Sequence, residues 1–197
     1  MDEKVSDLAD LELRINEQEN YVRPAQKSVS EIVAIDAEDE SLNRYKEQLL
    51  GDAKSSQIIV DAGDPRNVLL RSISLVIEGR PDITLQLDKE HLNNLQFKIK
   101  EGTSYRIRFD FQVQREICTG LKYMQKVTRH SITVDRDVLM MGSYAPKLEL
   151  QSFTTPVDEA PSGMLHRGIY KVKSQVTDDD DNDWLSWTWN LEIAKDW

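Results

Sequence analysis

Leu185-Ser186-Trp187-Thr188-Trp189-Asn190-Leu191-Glu192-Ile193 alternates without a break. Leu185, Trp187, Trp189, Leu191 and Ile193 share one face, and Ser186, Thr188, Asn190 and Glu192 share the other. That is the period of a half-buried β-strand. Just before it stands an acidic turn, Thr177-Asp178-Asp179-Asp180-Asp181-Asn182-Asp183, with Trp184 at its end. Two of the four tryptophans thus point into one core from one short segment. Large flat side chains with few rotamers wall a cavity without collapsing into it. Fold and function must together explain an aromatic face beside an acidic rim.

The same period runs back through the chain to Gln57. Ile73, Leu75 and Ile77 alternate with Ser72, Ser74 and Val76, and Ile83 to Leu87 reads as a short strand. Phe97 and Ile99 flank Lys98, and Glu101-Gly102 turns the chain into Tyr105, Ile107, Phe109, Phe111 and Val113, which share one face. Gly120 marks a bend before Leu121 to Val127. Further strands are expected at Ser131 to Val134, around Leu139 to Tyr144, at Leu148 to Phe153, and at Ile169 to Val176. After Gly51 the only helical signal is a brief one near Asp88 to Asn93. Eight or nine short strands with polar turns predict a mainly β protein, an antiparallel β-sandwich.

The first 50 residues differ. They hold 13 acidic against 6 basic side chains, and so carry −7 of the chain's −10. They contain no Phe or Trp, too little apolar surface for a fold of their own, so partial disorder is expected. Yet Ser28-Val29-Ser30-Glu31 has the spacing of a capping box ahead of Ile32 and Ile35. Asp36 or Asp39 can cap a second helix carrying Leu42, Tyr45 and Leu49, with Gly51 where it stops. Two readings stand: an arm of two short helices that orders on a partner, or a helical hairpin packed on its own domain. The expected division is an acidic arm over residues 1–55 and a sandwich over residues 56–197.

Composition narrows the function. A net charge of −10 argues against a nucleic-acid binder and favours a basic partner, or simply solubility. The single cysteine, Cys118, excludes an internal disulfide and reads as a buried structural thiol. With no secretory segment at Met1-Asp2-Glu3-Lys4, the cytoplasm is the expected compartment. No apolar run approaches the roughly 18 residues of a membrane span. Catalysis finds little support. His91, His130 and His166 sit in separate contexts without metal-pair spacing, and there is no phosphate loop or nucleophile elbow. Asp178 to Asp181 lack the spacing of a calcium loop and read as a charge cluster suited to a cationic partner. No cofactor or metal is expected. The inner faces supply Leu75, Phe97, Ile99, Tyr105, Ile117, Val172 and Trp189. Alternation alone does not distinguish a filled core from one that opens to admit a lipid.

Blocks of this sequence, in order, resemble the Rho GDP-dissociation inhibitors. They include Pro24-Ala25-Gln26-Lys27-Ser28, Asp39-Glu40-Ser41-Leu42, Lys100-Glu101-Gly102, Arg115-Glu116-Ile117 and Gly120-Leu121-Lys122-Tyr123. Met141-Gly142-Ser143-Tyr144, Glu159-Ala160-Pro161, Thr177-Asp178-Asp179-Asp180 and Leu185-Ser186-Trp187 follow. The resemblance runs from Tyr21 to Trp197, with Trp184 standing where some relatives have a smaller polar residue. It implies an immunoglobulin-like sandwich with a flexible, partly helical N-terminal arm. It also implies a non-enzymatic partner of prenylated Rho-family GTPases, Rho, Rac and relatives. In such a partner the geranylgeranyl tail lies between the sheets and the arm lies on the switch regions. By the same token Asp39 and Tyr45 in the arm, and Asp178, Asp179 and Asp180 in the turn, are GTPase contacts. Asp158 and Glu159 would meet the basic segment before the prenylated cysteine, and Ser28 matches a phosphorylatable position. The seven inner-face residues named above would be the pocket wall. The alternatives are a general prenyl-protein carrier without nucleotide control, and an immunoglobulin-like adhesion or scaffold module.

Overall fold

The computed structural model describes residues 41, 44, 58–88, 91, 92 and 95–197. Ser41 and Arg44 are helical; the rest of the two arm helices expected before Gly51, and with it Ser28, Asp39 and Tyr45, lies outside the described residues.

Ten strands are present among the described residues: β1 (Val68–Val76), β2 (Ile83–Gln86), β3 (Gln96–Lys100), β4 (Ser104–Val113), β5 (Cys118–Arg129), β6 (Ile132–Tyr144), β7 (Gln151–Thr154), β8 (Asp158–Glu159), β9 (Gly168–Thr177) and β10 (Asp183–Ala194). They form two sheets. One runs β2-β1-β4-β7, with the two-residue β8 on the first residues of β4; the other runs β3-β10-β9-β5-β6. The β-sandwich expected from alternation is therefore present.

Three details differ from the expectation. Ser131–Val134 and Leu139–Tyr144 are not separate strands but parts of β6, whose pairing with β5 runs from Ile132 to Tyr144. Its middle, Asp135-Arg136-Asp137, looks loop-like by composition, but the ladder with β5 supplies its backbone partners. The strand expected over Leu148–Phe153 begins only at Gln151. The sandwich is not wholly antiparallel, because β3 runs parallel to β10. Parallel neighbours need a crossover connection, and here all of β4 to β9 lies between β3 and β10 in the chain. At Asp88 the amides of His91 and Leu92 both donate to the Asp88 carbonyl at 3.2 Å, a single turn where a brief helix was expected.

The inward faces meet in one aromatic core. Phe109 lies 4.5 Å from Tyr123 between ring centroids, Phe97 stands edge-on to Trp189 at 5.5 Å, and Phe111 edge-on to Tyr144 at 4.8 Å. Each such ring contributes about 1.5–3 kcal/mol through burial, and edge-to-face pairs add to it. Ser174 receives the Trp189 indole N–H at 2.9 Å and shares a 2.9 Å hydrogen bond with the Tyr123 hydroxyl.

The segment entering β1 is pinned to the sandwich. Gln114 is fully buried. Its Oε1 accepts the amides of Val60 and Asp61 at 3.0 and 2.9 Å, and its Nε2 donates to the carbonyls of Asp64 and Arg66 at 3.1 and 2.7 Å. One side-chain amide thus satisfies four backbone groups that the irregular segment leaves without ladder partners.

Candidate functional site

At one end of the sandwich the two layers part over a cleft of about 710 Å³. Tyr105 and Ile107 of β4 line one side, with the chain from Thr155 to Glu159 and Pro161. Gln125 and Val127 of β5, Leu139 of β6, Tyr170 and Val172 of β9, and Trp189, Leu191 and Ile193 of β10 line the other. The opening follows from strand lengths. β6 continues over 13 residues at its sheet edge, whereas β7 opposite it stops after 4, at Thr154. Thr155 ends that strand: its hydroxyl accepts the Ile107 amide and donates to the Pro156 carbonyl, both at 3.0 Å. Beyond it only β8 continues the first sheet, so the inner face of β5 and β6 has no layer pressed onto it here.

The floor is apolar and the rim is charged, with four carboxylates against Arg129, Arg136 and His166. Asp135 and Asp137 of β6 line one lip, and Asp158 and Glu159 the other. The Tyr105 hydroxyl donates to Asp158 Oδ2 at 2.8 Å. Burial first, then the Asp158 charge and that bond, push the phenol well above its usual value, so it stays a neutral donor.

Of the residues expected in the pocket wall, Tyr105, Val172 and Trp189 line the cleft. Phe97 and Ile99 lie behind it: Phe97 is packed on Trp189, and Ile99 is the cross-strand neighbour of Ile193. Leu75 is a fully buried neighbour of Ile107. Ile117 does not belong to the cleft. It is a half-buried residue next to Cys118, at the far end of β5. Ile107, Leu191 and Ile193 are legible in the sequence, since they share strand faces with Tyr105 and Trp189. Asp135 and Asp137 carried no such signal, because the continuity of β6 was itself unread.

The acidic turn lies at the opposite end of the β9–β10 hairpin. β9 has 10 residues, which separates the turn from the cleft mouth by about 30 Å. Its aspartates are not equivalent. Asp178 is buried, and its carboxylate accepts the amides of Asp180 and Asn182 at 2.9 and 3.0 Å and the Trp184 indole N–H at 3.1 Å. Its oxygens face inward and organise the turn. Asp179 pairs with Lys122 at 2.6 Å and lies directly over Gly120. Gly120 has φ +59°, and a Cβ there would come within 1.8 Å of an Asp179 oxygen. Asp180 is half-buried beside them. Cys118 is buried against Asp178, with its sulfur 3.9 Å from Oδ2, and burial raises its pKa. His91, His130 and His166 are exposed. Among the described residues no group of His, Cys, Asp or Glu is arranged to hold a metal ion, and no helix is long and apolar enough to cross a membrane.

An apolar cleft thus lies between the two sheets, with carboxylates at its lips, and a second acidic surface lies at the other end of the β9–β10 hairpin. The chain matches the family described as RHO protein GDP dissociation inhibitor over residues 7–196, and it belongs to that family. It is 50% identical over 179 residues to the probable rho GDP-dissociation inhibitor of Caenorhabditis elegans, covering 89% of this chain and 92% of that one. It is 47% identical over 183 residues to Rho GDP-dissociation inhibitor 1 of Homo sapiens, covering 90% and 87%. It is 42% identical over 182 residues to Rho GDP-dissociation inhibitor 3 of Bos taurus, covering 90% and 78%. The family is regulatory rather than enzymatic in the usual sense.

Proposed function

We propose that this chain binds prenylated Rho-family GTPases, buries the geranylgeranyl tail in the inter-sheet cleft, extracts the GTPase from membranes and slows its release of GDP. The observation that carries this reading is the 710 Å³ apolar cleft with acidic lips in a member of this family. A prenyl chain gains about 0.8 kcal/mol per buried CH₂ on leaving water, but it has that gain already in a bilayer. The cleft must therefore match the bilayer, and contacts with the GTPase must supply the difference. Asp158 and Glu159, joined by Asp135 and Asp137, compete with anionic lipid for the basic segment before the prenylated cysteine.

Asp179 and Asp180 present carboxylates to a switch region, on a turn that Asp178 holds in shape. Asp39 and Tyr45 meet the GTPase from the arm, at an ordering cost, and a phosphate on Ser28 changes that docking by its charge. The compartment is the cytoplasm, where such clients face the inner leaflet.

The test compares geranylgeranylated with unprenylated Rho-family GTPase on liposomes, reading extraction and GDP release together. Prenyl-dependent extraction with slowed GDP release supports the proposal. Extraction with an unchanged release rate leaves a prenyl-protein carrier without nucleotide control, and no extraction rejects the cleft as the tail site.

A further inference from the structure

The cleft mouth is ringed by apolar side chains that the sandwich leaves in water. Leu165 is 81% exposed, Met164 78% and Ile132 68%, and Val134 and Val157 are each more than half exposed. They come from three places in the chain: the β5–β6 hairpin tip, the segment before β8, and the 3-10 turn Met164–His166 running into β9. Isolated exposed leucines need no explanation, but a cluster around the entrance to an apolar cleft does.

Arg129 ties two of these places together. It is the cross-strand neighbour of Ile132, and its guanidinium donates to the carbonyls of Leu165 and, at 2.6 Å, Arg167. The 3-10 turn is thereby held against the hairpin, with the Met164 and Leu165 side chains left outside.

Charge says what meets this rim. The chain carries 35 acidic residues against 25 basic, yet residues 128–134 and 161–173 contain no carboxylate. Instead they hold Arg129, His130, His166, Arg167, Lys171 and Lys173, of which Arg167 is paired with Glu101 at 2.6 Å. In a strongly acidic molecule these segments combine exposed apolar side chains with basic ones, the composition of a surface that lies in a headgroup layer.

We infer that this rim is a bilayer-docking surface: Met164, Leu165 and Ile132 enter the headgroup region of a phospholipid membrane and set the cleft mouth at the depth of the prenyl tail. The tail then passes from lipid to cleft without crossing water. This rests on the cleft being the tail site. The acidic lips lie on the cleft side of the rim, where they receive the client's basic segment as lipid releases it.

The test uses the full chain with Met164→Asp/Leu165→Asp and, from the other loop, Ile132→Asp. Two measurements are made: binding of a soluble geranylgeranylated peptide, and the rate of extraction of a geranylgeranylated Rho-family GTPase from phosphatidylcholine vesicles with a minor phosphatidylserine fraction. Peptide affinity is expected to stay at the parent value while extraction slows roughly tenfold. Unchanged extraction rates in both variants overturn the docking surface. So does an equal loss of affinity for the GTPase measured without vesicles, since that assigns the rim to the client protein. Failure of the parent itself to take the soluble peptide overturns the cleft reading, and the docking surface with it.

Discussion

The Trp184 indole N–H donates to Oδ2 of the buried Asp178 at 3.1 Å, and that bond ties the end of the acidic turn back to its start. Arg66, paired with Asp64 at 2.6 Å, donates to the Trp184 carbonyl at 3.0 Å, so the segment leading into β1 is fastened to the same turn. The place where the arm enters the sandwich and the surface offered by Asp179 and Asp180 are therefore held in a set relation. Two fixed carboxylates lose less freedom on meeting a partner than two on a loose loop.

Replacing Asp178 by Ala strands the Trp184 N–H and the amides of Asp180 and Asn182. The expected loss is about 3 kcal/mol of unfolding free energy, read from urea denaturation, with Asp178→Asn losing less. A variant as stable as the parent would show that the turn does not depend on this carboxylate.

Gly120→Ala is expected to act in two ways. Its φ of +59° disfavours any side chain, at a cost of about 1–3 kcal/mol. The new Cβ also displaces Asp179 from over the strand and from Lys122. Thermal melting reports the first effect. A fall in GTPase affinity with binding of a soluble geranylgeranyl peptide unchanged reports the second, because the cleft lies at the other end of the hairpin.

Val127 and Ile117 separate the cleft from the rest of the interior. Val127 is part of the cleft wall and Ile117 is not. Val127→Asp places a carboxylate against the bound chain and is expected to weaken soluble prenyl-peptide binding roughly tenfold or more. Ile117→Asp is expected to leave that affinity at the parent value. Equal losses from the two would move the tail site out of the cleft.

Glu101 predicts an acid dependence. Its carboxylate accepts Arg167 at 2.6 and 3.0 Å and the Gly163 amide at 2.8 Å, and these bonds, Arg167 first, hold its pKa below the ordinary 4.5. A carboxyl with a lowered folded-state pKa adds stability above its unfolded value, and that stability is lost as pH falls through the folded value. Urea midpoints across a pH series spanning 4.5 should therefore fall more steeply for the parent than for Glu101→Gln. Parallel curves would remove Glu101 from the acid response.

Much of this was legible in the chain. The faces of β4, β9 and β10 were read from alternation and are buried as expected. The aromatic floor followed from Trp189 and Val172. The cleft itself was not legible, and the reason is visible in Phe97 and Ile117. Both are apolar, but one stands behind the wall and the other at the opposite end of the sandwich. Nor did four consecutive aspartates reveal that one of them is internal, since only the packing of Trp184 and Cys118 turns Asp178 inward.

By itself the sequence determined which side chains face inward, because period two is a property of each strand alone. It also determined the family, because the order of short blocks is local information. Only the tertiary structure decided where the two layers separate, which carboxylates stand at the lips, and which apolar side chains lie near the mouth. Those depend on how far β6 outruns β7 across the gap between sheets, a relation between segments that no single stretch of the chain contains.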